Sequence, residues 1–197
     1  MNKIKVEENK VKYFYDDTDN NYIYNLNKNE ELTIYHYVVN ASSKIIINLN
    51  GENAKVNYYY SNINYQDNTL SIEVNHNACC TTSNVYNHGV NINCNKLYYI
   101  VNGTIPKLIT SCNCNQDSRI INITNGKSSI HPNLYIDNYD CLSHHAAYIG
   151  KFKDRELFYL MSRGITKKDS YSLLLKGFLL YDNNKFNKKL LNEIKKI

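Results

Sequence analysis

The chain has 197 residues, a formal net charge of +5, 19 Tyr, 5 Phe and no Trp. That length suits one domain with a proper core, and no apolar run approaches the roughly 20 residues that cross a bilayer. The N-terminus MNKIKVEENKVKYFYDD has no apolar h-region of a secretory signal, so a cytoplasmic protein without membrane attachment is expected.

Residues 1–31 are polar and rich in Asp and Asn, and are expected to form an ill-ordered or edge segment. From residue 32 short β-branched or aromatic runs follow one another, bounded by Asn, Asp, Gly or Ser: residues 32–39, 44–49, 55–60, 70–74, 89–92, 96–101, 107–110, 119–123 and 133–136. No helical period of three and four crosses this region. Regular short strands with turn punctuation suggest a sandwich, a barrel or a β-helix. Asn-rich corners favour the β-helix, because Asn tolerates the left-handed conformation of a coil corner. No sharp repeat fixes the choice. The abundant Asn and Tyr are read as compositional bias rather than chemistry.

The texture changes after Gly150. Residues 151–197 read as a helical segment, set against a β body at 32–150. A first helix is expected in DRELFYLMSRG, with Asp154 as N-cap, Leu157, Leu160 and Met161 on one face, and Gly164 as its stop. A second begins at a Thr166/Asp169 capping pair and carries Leu173, Leu174 and Leu175 as its apolar side. A third presents Phe186, Leu190, Leu191, Ile194 and Ile197 on one stripe. The positive charge sits here: 12 Lys/Arg against 5 Asp/Glu from Lys151 onward, and 11 against 13 before it. No aromatic-and-basic stripe accompanies it, so no nucleic-acid partner is expected; a solvated face or a dock for an acidic partner is.

Six cysteines, Cys79, Cys80, Cys94, Cys112, Cys114 and Cys141, contain no CxxC pair and are expected to be reduced thiols. Cys112 and Cys114 share one side of a strand, as a soft-metal pair or as packed small residues. Asp137 and Asp140 have no basic partner, so a lyase or hydrolase on a β-helix is not expected. A Tyr- and Asn-lined sugar-binding solenoid is disfavoured by the missing export signal.

The segment HAAYIGKFKDRELFYLMSRGI (145–165), followed by LLLKGFL (173–179), resembles the C-terminal signature of the SufB/SufD family of iron–sulfur cluster assembly proteins. His145, Ala147, Ile149 and Gly150 match its first part, Leu157 to Ile165 its second, and Gly177-Phe178 its third. Weaker matches upstream are LNGENAK (49–55), His76, GTI (103–105) and HPNLYID (131–137). The resemblance covers roughly residues 45 to 182. It implies a right-handed parallel β-helix with a short C-terminal helical segment. It also implies a non-catalytic scaffold that pairs with itself or a SufB-like paralogue and binds a SufC-like ABC ATPase through the helical segment. The chain is short for the family and lacks most of its N-terminal helical domain. The runner-up is a cytoplasmic β-solenoid binding protein with no role in cluster assembly.

The resemblance places His145 at a subunit interface where a transient iron–sulfur cluster forms; the other reading of His145 is a hydrogen-bonded residue of the last rung. Cys141, four residues earlier, shares its face if the segment is extended, and is read either as a second ligand or as a structural thiol. His144 points the other way, and His131 is read as a surface residue. Two departures make the chain SufD-like: Ala146 stands where SufB-type chains carry an acid, and NGKSSIHP (125–132) lacks their cysteine. Phe158, Tyr159, Met161 and Arg163 are read as contacts to the ATPase partner, with core packing as the other reading, because aromatics and Arg dominate binding hot spots.

Overall fold

A computed structural model describes residues 2–5, 10–93, 95–182 and 187–197. The strands are β1 (Asn2–Lys5), β2 (Lys10–Asp16), β3 (Asn20–Leu26), β4 (Glu31–Val39), β5 (Ser43–Leu49), β6 (Lys55–Asn64), β7 (Asn68–His76), β8 (Thr82–Asn91), β9 (Lys96–Ile105), β10 (Cys112–Asn122), β11 (Lys127–Ile136) and β12 (Cys141–Gly150). Three helices follow: α1 (Asp154–Ser162), α2 (Lys167–Leu179) and α3 (Asn187–Ile194). Odd strands form one six-stranded sheet and even strands another. Every pairing is parallel. The chain crosses from one sheet to the other at each turn and climbs one strand per circuit: a parallel β-solenoid closed by three short helices.

Period-2 alternation builds it. In β5 the residues Ile45, Ile47 and Leu49 point inward and are fully buried, whereas Lys44 is exposed. Stacked rungs place like on like, so Leu26, Leu49, His76 and Ile105 sit at neighbouring inward positions, as do Leu32, Val56, Ser83 and Cys114. The rungs widen along the axis. Register partners Lys10, Leu32, Val56, Ser83 and Cys114 are 22, 24, 27 and 31 residues apart, and the last step, to Ser143, is 29. That drift removes any fixed period from the sequence.

Corners use the left-handed backbone expected of Asn. Asn29, Asn53, Cys80 and Ser111 have φ of 60°, 59°, 59° and 57° and stack as one column. Each donates its N–H to the rung above, Asn29 to Glu52 O at 2.9 Å and Ser111 to Asp140 O at 2.7 Å. The same geometry occurs at Asn40 and Asn93 on the other edge. Cys and Ser thus occupy a conformation that usually selects Gly or Asn.

The Asn and Tyr content proves structural. Asn75 donates to Asn48 and Asn48 to Asn25 at 3.0 and 2.9 Å. Asn115, Asn84 and Asn57 form a second ladder with both bonds at 2.9 Å. On the outer face of the even sheet Tyr13, Tyr35, Tyr59 and Tyr86 stack with centroids 5.2, 5.0 and 5.2 Å apart. Parallel in-register strands make such ladders possible, since each side chain meets its equivalent one rung away.

Several expectations are corrected. Residues 107–110 form a turn, because Pro106 and Asn138 organise them: Ile109 N–H bonds Pro106 O at 3.0 Å, and the Asn138 amide bonds Lys107 O at 2.9 Å. The polar segment before residue 31 supplies β2 and β3, whose Tyr22, Tyr24 and Leu26 are buried. Strand β12 and the first half of β8 (TSNVYNH) escaped detection because polar and small residues dilute their alternation. The first residue of α1 is Asp154, and its N-cap is Lys153, whose N–H is bonded by the Glu156 carboxylate at 3.1 Å. In α2 the buried residues are Ser170, Leu175 and Leu179, while Leu173 is exposed: the apolar stripe runs at four-residue spacing, not through three consecutive leucines. Phe186 and Cys94 lie outside the described residues.

The helices cover the outer face of the even sheet. Leu175, Leu179, Leu190 and Ile194 pack with Tyr37, Val39, Ile63 and Val90 in a second core. Side chains of the sheet also finish α2. Its last carbonyls have no helical partner, and His88 Nδ1 bonds Phe178 O at 2.7 Å while Ser61 Oγ donates to Leu179 O at 2.6 Å. The His88 ring stacks on Phe178 at 4.3 Å and on Tyr181 at 4.9 Å.

Candidate functional site

The last rung consists of β11 and β12. Strand β12 pairs only with β10, and β11 only with β9, so each is the final strand of its sheet. Register fixes what faces the end of the solenoid. Cys141, Ser143, His145, Ala147 and Ile149 pair with Cys112, Cys114, Gln116, Ser118 and Ile120, all inward and buried. On the facing wall Ile130, Pro132, Leu134 and Ile136 continue the column of Tyr99, Val101, Gly103 and Ile105. These inward residues of the last rung are half-buried or exposed rather than buried. The last rung is therefore uncovered, with an apolar wall on β11 facing a more polar wall on β12 that carries Cys141 and His145.

His144 pairs with Asn115 and points to the outer face, away from that pair. His131 lies on the outer face of β11, exposed, with Nε2 2.6 Å from Ser129 Oγ. Cys112 and Cys114 lie one rung behind, buried with Ile105 in a small apolar cluster that half-buried Cys141 joins. Burial raises the Cys114 thiol pKa, which favours an inert thiol. Cys112 Sγ lies 3.2 Å from Thr81 Oγ1, and Cys141 Sγ bonds Asn138 O at 3.4 Å. Cys79 and Cys80 occupy a corner, where Thr110 N–H meets Cys79 Sγ at 3.4 Å. Among the described residues no group of three His, Cys, Asp or Glu side chains is placed to hold a metal ion. Cys141 and His145 are two donors at most, half of a tetrahedral set.

Two buried histidines are structural. His76 uses both nitrogens, on Thr81 Oγ1 at 2.8 Å and Ser83 Oγ at 2.9 Å, and burial pulls its pKa down to about 4. His36, which sequence reasoning passed over, bridges Tyr58 Oη at 2.6 Å and Asp16 at 2.8 Å inside the first rungs. Only its inward position in the alternation of β4 could have signalled it.

The second candidate surface is α1. Leu157 alone is buried in it; Phe158 is 73% exposed, Tyr159 59% and Met161 44%. Met161 therefore does not pack on the body as its place beside Leu157 and Leu160 suggested: at nine residues, α1 turns little more than one residue inward. Arg163 is exposed and lies over the Tyr159 ring, 5.5 Å from its centroid. Gly164 ends the helix at φ +83°, with its N–H bonded to Met161 O at 3.0 Å. Thr166 then caps α2, accepting from Asp169 N at 3.1 Å, as the sequence implied. A cleft of about 430 Å³ between β10, β12 and the helices is lined by Asp117, Arg119, Phe152, Glu156 and Phe178, among others. It marks the joint where the last rung passes into α1.

Among the described residues no helix is long and apolar enough to cross a membrane. Residues 23–178 match the family described as "SUF system FeS cluster assembly, SufBD core domain". The chain is 36% identical over 78 residues to the iron–sulfur cluster assembly protein SufD of Bacillus subtilis, covering 39% of this chain and 18% of that protein. It is 58% identical over 38 residues to an iron–sulfur cluster assembly SufBD family protein of Pyrococcus horikoshii, covering 19% and 8%. A SufBD family protein of Mycobacterium leprae is 40% identical over 63 residues, covering 31% and 16%. These aligned stretches span less than a fifth of each relative's length. With the family match running over most of a parallel solenoid and into α2, the chain belongs to the SufBD family of iron–sulfur cluster assembly proteins.

Proposed function

We propose that the protein is a scaffold subunit of a SUF-type assembly complex. Its last rung pairs with a second solenoid, its own copy or a SufB-like chain, and α1 is the grip for a SufC-like ABC ATPase. The observation that carries this reading is the uncovered last rung: an inward apolar column on β11 that no further strand among the described residues covers, facing the β12 wall that bears Cys141 and His145. An exposed apolar patch of that kind is a partner site by default. Two donors from one chain are complemented by donors from the other, so a nascent cluster, the cargo of the complex, is held at the seam and not within one subunit. The chain acts without catalysis of its own.

Exposed Phe158, Tyr159 and Met161 support the second contact, since none is needed for the fold. Lys151–Lys153 and the capped start of α1 join that grip directly to β12. Nucleotide-driven closure of two bound ATPases would pull both helical segments and strain the seam between the solenoids. Such coupling needs a rigid link, and the sheet-to-α2 bonds of His88 and Ser61 supply one.

The test is anaerobic co-expression with a SufC-like ATPase and a SufB-like chain, reading subunit ratio, iron and sulfide. The expected result is a stable complex that a Phe158→Ala/Tyr159→Ala double variant loses while remaining folded. A wild-type chain that captures neither partner would overturn the reading.

A further inference from the structure

The solenoid interior changes character along its axis. Early rungs are lined by Leu, Ile and Tyr, whereas β6, β8 and β10 turn Asn62, Ser83, Asn87, Gln116 and Ser118 inward, all buried. Most of these have protein partners. At one place several buried polar atoms go without.

That place surrounds Gly89. Asn62 is its register partner on β6, and Asn87 precedes it by two residues on the same face of β8. Tyr99 reaches across from the other sheet, and its hydroxyl lies 2.1 Å from where a Cβ on Gly89 would stand. Asn62, Asn87 and Tyr99 are each 0% exposed. Tyr99 Oη and Asn87 Oδ1 have no hydrogen-bond partner in the protein, and the Asn62 amide has only the Tyr60 hydroxyl beside it, without good hydrogen-bond geometry. Asn87 Nδ2 is engaged by Ser118 Oγ at 3.0 Å, and the neighbouring Tyr60 hydroxyl by Ser43 Oγ at 3.3 Å. Four polar atoms, donors and acceptors together, therefore converge in a sealed interior where each left dry costs as much as a lost hydrogen bond.

We propose that this is a binding site for one ordered water molecule, held by Asn62, Asn87 and Tyr99 over Gly89. The side chains at the site are neutral, so water fits where an ion would be left without a counter-charge. Two to four polar partners are what a buried water requires. Gly89, whose backbone needs no glycine conformation, is what lets the Tyr99 hydroxyl reach this point of the wall. The site lies behind the open face, one strand in at Tyr99, the register partner of Ile130, and two strands in at Gly89, the partner of Ile120, which pairs with Ile149. The water thus stiffens the wall on which Cys141 and His145 are mounted, whether or not that face holds a cluster.

Tyr99→Phe tests this by the sign of its effect, together with a high-resolution crystal structure of the full chain. If the hydroxyl binds water, its removal lowers the melting midpoint by several degrees, and wild-type density shows a water within hydrogen-bond distance of Tyr99 and at least one of the two asparagines. A raised midpoint would mean that the hydroxyl is truly unpaired. Tyr99 bonded directly to Asn62 or Asn87 with no density between them would mean that the interior is dry. Either result overturns the proposal.

Discussion

Replacing His88 with Ala tests how firmly the helical segment is fixed to the solenoid. The imidazole stacks on Phe178 at 4.3 Å with planes 11° apart, and on Tyr181 at 4.9 Å. Its Nδ1 completes Phe178 O, a carbonyl that α2 cannot satisfy within itself. The ring is neutral, because burial pushes its pKa down to about 4. Deleting it forfeits about 1 kcal/mol for each stacked pair and about 1 kcal/mol for the hydrogen bond. Partial exposure of the site lets water reach the freed carbonyl and trims that sum to about 2–3 kcal/mol, or a midpoint lower by roughly 5–10 °C for a chain of this size. His88→Phe keeps the stacking and should lose only about 1 kcal/mol. Urea denaturation gives the stabilities, and limited proteolysis of residues 151–197 reports release of the helices. If His88→Ala matched wild type in both assays, the clamp would be idle and the rigid-link argument would fail.

Acid should destabilise the fold in a defined window. His76 and His88 have folded pKa values of about 4 against an ordinary 6.5, so the unfolded chain binds more protons between those values. Stability is then complete above pH 6.5 and falls as the pH drops to about 4, by roughly 2–3 kcal/mol per pH unit for both histidines together; midpoints measured across this range check it. Gly164→Ala places a Cβ in the left-handed region at φ +83° with nothing within 4 Å to clash, so a purely conformational loss of about 1 kcal/mol is expected by denaturation. His145→Ala and Cys141→Ser should leave thermal stability within about 0.5 kcal/mol, since neither residue is buried. In the anaerobically purified complex each should lower bound iron, and unchanged iron in both would remove them from the site.

Much of the architecture was legible because period-2 alternation survives in β4, β5 and β9, and because Asn marked the left-handed corners. What hid was of a different kind. The widening rungs erase the repeat, so nothing in the sequence says that Tyr35 sits over Tyr59 or Asn84 over Asn57. Strand β12 escaped because the last rung need not be apolar on both sides of its pleat. The pairing of Cys141 with His145 on one face was legible from their four-residue spacing. That this face has no rung above it was not, since only register decides which strand is last. The outward set of α1 was half legible: Phe158 and Tyr159 stood off the Leu157 face, but Met161 was misplaced because the nine-residue helix buries Leu157 alone.

The widening coil has a consequence for assembly. An open parallel edge invites another copy to add on head to tail, and repeating that contact grows a fibre. Here the last circuits are 29 and 31 residues around and the first described ones 20 and 22, so the broad rim of one molecule is poorly matched to the narrower start of the next. Rim against rim brings equal girths together, and once two molecules meet there, no edge of that width remains to extend the stack.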